Sequence, residues 1–337
     1  MMNKFGGYFK FILSSVLLAS PMALAKQWTP EELAKEIAIY QKGDQWSVGD
    51  ITEEYLKNPI IKKAYSANVH VGAASGIYLG KFKGKHIVAT NSHVADGPKE
   101  CKNFPPKVMF DSNIWSDTVG CIGAWPEIDL ALLVVKPYDV NAWEEGAESL
   151  GPEAYELGEK AVAGRGVNLA FNTIPEFEAP LLNIGFGIAG DASPDRGNPL
   201  KISVPRITFD DDCRVLSQTG EVRLLFDPDT INPLGYAAWS FANGCDTSHG
   251  SSGSLLMNRE TGEILGVEWT GTWTKAGEEP ISSQEIAEIS RGNSPEVWSR
   301  LNYAVPAFKI KEFLLKQVRS KKIVGPNAAL IKAIVEK

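Results

Sequence analysis

Three short runs carry residue types that could perform acyl-transfer chemistry. The first, CDTSHGSSGSLLM (245–257), sets Ser252 between Gly250 and Gly253. Glycine adopts backbone angles that other residues avoid and lets a neighbouring chain approach closely. A nucleophilic serine needs both properties: its Oγ must stand exposed, and backbone N–H groups must converge on the oxyanion that forms. The second run, ATNSHVAD (89–96), puts His93 just after a strand-like stretch. The third, EIDLALL (127–133), puts Asp129 at the entrance to an apolar stretch. Each of these residues alone is more readily structural: a turn serine, a satisfied histidine, an aspartate before a strand. Together they form a set with one chemistry. An imidazole takes the serine proton during attack and returns it to the leaving group. A carboxylate on the other ring nitrogen fixes the tautomer and stabilises the imidazolium. The chain order is His93, Asp129, Ser252, whereas α/β-hydrolases run Ser, Asp, His, which argues against that fold.

The elements that must position these residues read mainly as strands. Short β-prone runs fall at 69–71, 76–79, 87–90, 130–135, 161–163, 182–188, 202–209, 222–226, 236–240, 254–257 and 264–270. A Gly/Lys turn over 81–85 separates the second and third, and Glu260-Thr261-Gly262 makes a hairpin between the last two. Many short strands with turn signals suggest a barrel or a sandwich. Two helices close the chain. One spans about 306–318, with Phe308, Ile310, Phe313 and Leu314; a shorter one follows Gly325-Pro326, with Leu330, Ile331, Ile334 and Val335.

Before the strands, the chain carries a signal-like segment over residues 1–25. Lys4 and Lys10 give a positive start, 11–18 is apolar, and Ala23-Leu24-Ala25 is a small-x-small cleavage site. Removing two lysines and no acids takes the formal charge from -7 to -9. That acidic balance, with no basic run, argues against a nucleic-acid partner. Residues 26–65 read as helical, an arm or a propeptide. Thr29, Pro30 and Glu32 open one helix, with Leu33, Ile37 and Tyr40 on a face; a second starts at Asp50 and ends near Asn58-Pro59. The four cysteines, Cys101, Cys121, Cys213 and Cys245, allow three pairings. In an exported chain disulfides persist, and the expected pairs are nearest neighbours, Cys101–Cys121 and Cys213–Cys245.

The three runs resemble the signature blocks of trypsin-like, chymotrypsin-fold serine peptidases, nearest to the bacterial glutamyl-endopeptidase-like and HtrA-like branch. ATNSHVADG matches their "T-x-x-H-V" block, DLALL their "D-[LI]-A-[LV]-L" block and GSSGS (250–254) their "G-x-S-G-[SG]" block; ILGVEWTG resembles the strand that follows. The resemblance covers about 66–317 and implies two six-stranded antiparallel β-barrels, here with an N-terminal helical arm and C-terminal helices. It makes 66–317 the peptidase domain and 318–337 a tail with a short helix, too few residues for a PDZ domain. By the same resemblance Ser252 is the nucleophile, His93 the general base and acid, and Asp129 the orienting carboxylate. The backbone N–H groups of Gly250 and Ser252 form the oxyanion hole. No cofactor or metal is implied.

Two departures stand out. Digestive members place an aspartate before the nucleophile to receive a newly cut N-terminal amine; here Ser251 stands there, and no "IVGG"-type start is visible. Specificity is the second. Family spacing puts Asp246 at the base of the primary pocket, Thr247 beside it and His249 near its rim. Glu268 falls where glutamate-specific relatives place a histidine. An acidic pocket would favour Lys or Arg in the substrate, since a desolvated charge needs a partner. Alternatively Asp246 bonds loop amides beside Cys245 and Glu268 faces solvent. Trp269, Thr270 and Gly271 would offer backbone to an extended substrate.

The expectation is therefore a secreted or periplasmic serine endopeptidase acting on proteins or peptides, with no stable membrane anchor once the signal is cleaved. The oligomeric state is left open. A catalytically inactive homologue that binds peptides is the first alternative. An exported esterase fits the strand-rich composition and residue order poorly. A metalloenzyme has only His70, His86, His93 and His249 to draw on, with no HExxH.

Overall fold

A computed structural model describes residues 49–142, 150–186, 205–208, 213–226, 236–247, 250–271 and 301–337. The expected signal segment and the helix expected from Thr29 lie outside these. The description begins at β1 (Gly49–Asp50), followed by a single 3-10 turn, Tyr55–Lys57. Helix α1 (Pro59–Ala67) comes next. The sequence reading ends a helix near Asn58-Pro59, but there the chain starts one. Asn58 accepts the Ile60 N–H at 2.9 Å as a cap, and Pro59 occupies the first turn, where its missing N–H loses no helical bond. Ile61, Ala64 and Ala67 turn inward.

Six strands then form a closed barrel: β2 (Asn68–Val71), β3 (Ala74–Phe82), β4 (Lys85–Thr90), β5 (Val108–Met109), β6 (Ile114–Trp125) and β7 (Leu130–Asp139). Their order around the barrel is β2-β3-β4-β7-β6-β5, and every pair is antiparallel. The β3–β4 hairpin turns through Lys83 and Gly84, both at positive φ, as a two-residue turn matched to strand twist requires. β6 escaped the sequence reading because Asp117, Gly120 and Gly123 interrupt its pattern. Register shifts fall at Thr118/Gly120 and Cys121/Gly123. Helix α2 (Gly97–Asn103) carries Cys101, which is bonded to Cys121 on β6.

Helix α3 (Pro152–Val162) packs on β7. Gly158 lies against the backbone of Tyr138, where a Cβ would come within 2.4 Å of the Tyr138 nitrogen. The run 161–163, read as a strand, is the end of this helix. Its apolar pair, Ala161 and Val162, packs against the first-barrel core.

The second half builds β8 (Leu181–Gly185), β9 (Arg206–Thr208), β10 (Arg223–Phe226), β11 (Ala237–Asn243), β12 (Leu255–Asn258), β13 (Ile264–Gly271) and β14 (Asn302–Pro306). Five of these lie side by side in the order β8-β12-β13-β14-β11. A sixth member closes the ring. On one side Leu181 N–H donates to Cys213 O at 2.7 Å and Val215 N–H to Ala179 O at 3.0 Å. On the other side Leu216 N–H donates to Ala242 O at 2.9 Å and Gly244 N–H to Arg214 O at 3.2 Å. The second barrel is thus closed by bridges along 213–216 rather than by a long ladder. Strands β9 and β1 extend the sheet beyond β8, and β10 extends it beyond β11.

Helices α4 (Ala307–Arg319) and α5 (Gly325–Val335) follow β14. Ile310, Leu314, Leu330 and Ile331 join one continuous apolar core with Ile77 and Ile87 of the first barrel and Ile184 and Val267 of the second. No described helix is long and apolar enough to cross a membrane.

The Cys213–Cys245 disulfide ties the closing member of the second barrel to the exit of β11 across a separation of 32 residues. Replacing both cysteines by serine should lower unfolding stability by about 4 kcal/mol through loop-closure entropy. Urea denaturation at neutral pH measures it.

Candidate active site

His93 lies in the turn after β4, and Asp129 ends the turn that feeds β7, so both belong to the first barrel. Asp129 is fully buried. One carboxylate oxygen accepts the His93 backbone N–H at 2.9 Å, and the other contacts His93 Nδ1 at 2.7 Å. A carboxylate can only accept, so this bond places the ring proton on Nδ1 and leaves Nε2 as a base. Asp129 adopts φ 41°, in the left-handed region. Aspartate tolerates that region better than most residues. Buried Asn91 braces it by donating to the Asp129 carbonyl at 2.9 Å. The His93 ring meets buried Tyr236 edge-on, with centroids 5.6 Å apart. Tyr236 stands at the entry to β11, so this contact crosses from one barrel to the other.

Ser252 sits in the turn between β11 and β12. Gly250 and Gly253 have φ 87° and 86°. A Cβ on Gly253 would fall 2.1 Å from the Ser75 carbonyl oxygen and 2.6 Å from Thr90 Oγ1, so only glycine fits. The turn is held from three directions. Gly253 N–H donates to Glu268 O at 2.8 Å, Ser254 N–H to Ser251 O at 2.9 Å, and Ser75 N–H to Ser252 O at 2.9 Å. Among the described residues, neither the Gly250 nor the Ser252 N–H donates to a protein acceptor. The Ser252 hydroxyl donates to Trp269 O at 3.5 Å, a long contact, rather than to His93.

Two antiparallel barrels are now in place, with the histidine and aspartate on the first and the serine in a turn of the second. The fold is chymotrypsin-like. No protein-family model matches the sequence, and no curated protein matches it. Among solved structures the chain is similar to the Rv3671c protease of M. tuberculosis. Its inactive form is 16% identical, with TM-score 0.41, over 80% of this chain and 97% of that one. Its active form is 14% identical, with TM-score 0.42, over 82% of this chain and 90% of that one.

The residues expected around the substrate fall into separate environments. Asp246 and Thr247 are half-buried just after the disulfide-bonded Cys245. The Cys245 carbonyl accepts Asn302 Nδ2 at 2.6 Å, which fixes where Asp246 begins. His249 lies outside the described residues. Trp269 is buried, and its indole N–H donates to Ser240 Oγ at 2.8 Å. Thr270 and Gly271 pair with Tyr303 and Asn302 on β14. On the opposite edge, β12 pairs with β13 as far as Val267. Glu268 then bonds Gly253 and Ser254 of the serine turn.

Glu268 does not face solvent. It is 2% exposed, and Asn243 Nδ2 donates to one carboxyl oxygen at 3.0 Å. Burial pushes its carboxyl well above the ordinary value near 4.5, against the smaller downward pull of Asn243 and the Tyr303 backbone. The folded chain therefore holds this proton to higher pH than the unfolded chain does. Above pH 4.5 the unfolded state binds fewer protons, so this acid draws stability down as pH rises. The full contribution is present below that pH. Glu268→Gln should flatten this fall of stability just above pH 4.5 by up to about 1.4 kcal/mol per pH unit. Urea unfolding of both proteins across that range measures it.

Proposed function

We propose that this chain is a secreted or periplasmic serine endopeptidase that hydrolyses peptide bonds through an acyl-enzyme. The observation that carries the reading is the His93–Asp129 pair. A fully buried carboxylate grips one histidine by both its amide and its ring. A purely structural histidine needs no such fixed tautomer. In this reading Ser252 attacks the substrate carbonyl while His93 Nε2 takes its proton. Asp129 stabilises the imidazolium, and His93 then protonates the leaving amine. The N–H groups of Gly250 and Ser252 receive the oxyanion. An extended substrate pairs with the edge of β13 from Trp269 to Gly271. Two disulfides suit an oxidising compartment outside the cytoplasm.

The mature protein should be labelled by a fluorophosphonate, and Ser252→Ala should abolish labelling. Folded wild-type protein that resists the probe would instead be a homologue that only binds peptides. That is the reading the Ser252–Trp269 contact would favour if it were fixed.

The acidic group in this reading that can meet a substrate side chain is Asp246, which favours Lys or Arg at the cleaved bond. Asp246→Asn should reduce kcat/KM for such substrates at least tenfold relative to those with apolar residues there. A peptide-library digest compares the two, and cleavage confined to Glu or apolar residues would rule out the basic preference.

A further inference from the structure

The serine turn has a partner that neither the motif nor the mechanism assigns. Ser75, on β3 of the first barrel, is fully buried. Its N–H donates to the Ser252 carbonyl at 2.9 Å. Its Oγ donates to the Gly250 carbonyl at 2.8 Å and accepts the Phe186 N–H, just after β8, also at 2.8 Å. Its carbonyl accepts Thr90 Oγ1 at 2.7 Å. One residue of the first barrel thus holds two carbonyls of the turn that carries Ser252.

The peptide planes give this arrangement its consequence. Gly250 O belongs to the plane between residues 250 and 251, and Ser252 O to the plane between 252 and 253. The Ser252 N–H belongs to the plane between those two. Anchoring both neighbours removes its freedom to rotate, and the Gly250 N–H adjoins the anchored plane from the other side. Glycine at 250, with φ 87°, would otherwise leave that peptide loosely held.

We infer that Ser75 is a positioning residue that sets the oxyanion hole, by clamping through its hydroxyl the peptide between the two donor amides. The inference rests on the peptidase reading above. It also couples the donors to barrel docking, because the same hydroxyl takes the Phe186 amide from the second barrel. A turn that has lost this clamp keeps Ser252, His93 and Asp129 but loses the aim of its amides.

The test uses the full chain and two readouts. Ser75→Ala removes only the hydroxyl and keeps the backbone N–H bond to Ser252. Hydrogen–deuterium exchange of the segment 250–257 reads the clamp without requiring activity. Exchange there should rise at least tenfold, while β6 and β7 stay unchanged. Fluorophosphonate labelling should slow by about 10²-fold, the effect of misplacing one oxyanion donor. The pH midpoint of the labelling rate, which reports the His93 base, should stay where it is. Ser75→Thr, which restores the hydroxyl, should recover most of the rate.

Wild-type exchange in the alanine variant would overturn the clamp, as would wild-type labelling. Equal slowing in the alanine and threonine variants would reduce Ser75 to a packing residue and overturn it too. If wild-type protein never labels but its turn loosens in Ser75→Ala, the peptidase reading fails and the clamp stands. Should the alanine variant fail to fold, Ser75→Cys carries both measurements, since a thiol fills the site but donates weakly.

Discussion

The burial of the Asp129 carboxylate is the constraint on which the first-barrel half of the candidate site depends. A charge taken out of water costs several kcal/mol unless its oxygens are satisfied. Here one residue satisfies both, His93 through its amide and its ring. The carboxylate therefore fixes the backbone of the histidine turn as well as the direction of the imidazole. Its own left-handed backbone is tolerable because Asn91 holds its carbonyl from beneath. Loss of either neighbour would leave a buried group unpaired, so the three residues stand or fall together.

The candidate site spans two barrels, and the seam between them is built from polar contacts as well as apolar ones. Ser75 reaches across to Gly250, Ser252 and Phe186, and Thr90 supports it from the next strand. Tyr236 covers the His93 ring from the other side. The apolar core beneath is shared, and the C-terminal helices lie over it with side chains that join both halves. Separating the barrels would expose that core and would also strip hydrogen bonds from fully buried groups, which adds their desolvation to the loss.

The region of Asp246 and Glu268 is organised differently. Asp246 follows a disulfide and a bridging asparagine, so its backbone is held while its side chain stays half-buried. Glu268, the other acid of the region, is withdrawn into the second barrel, and burial raises its pKa. Its backbone does more for the site than its carboxyl. The Glu268 carbonyl takes the Gly253 amide, and its N–H holds Ser254, which fixes the far side of the serine turn.

The sequence alone determined what local pattern can encode. Ser252, His93 and Asp129 sat in short runs with recognisable neighbours, and the nearest-neighbour cysteine pairs form as expected. Most strands and both C-terminal helices followed from runs of apolar residues and from Gly/Pro punctuation. Tertiary structure decided the rest. Whether Pro59 ends a helix or begins one depended on what Asn58 could cap and what Ile61 could pack against. The burial of both Glu268 and Trp269 defies simple alternation, because β13 is covered on both faces and every residue from Ile264 to Trp269 is buried. Ser75 and Gly250 are 175 positions apart. A bond over that distance leaves no periodic trace in one sequence, because it exists only once two separately encoded barrels have docked.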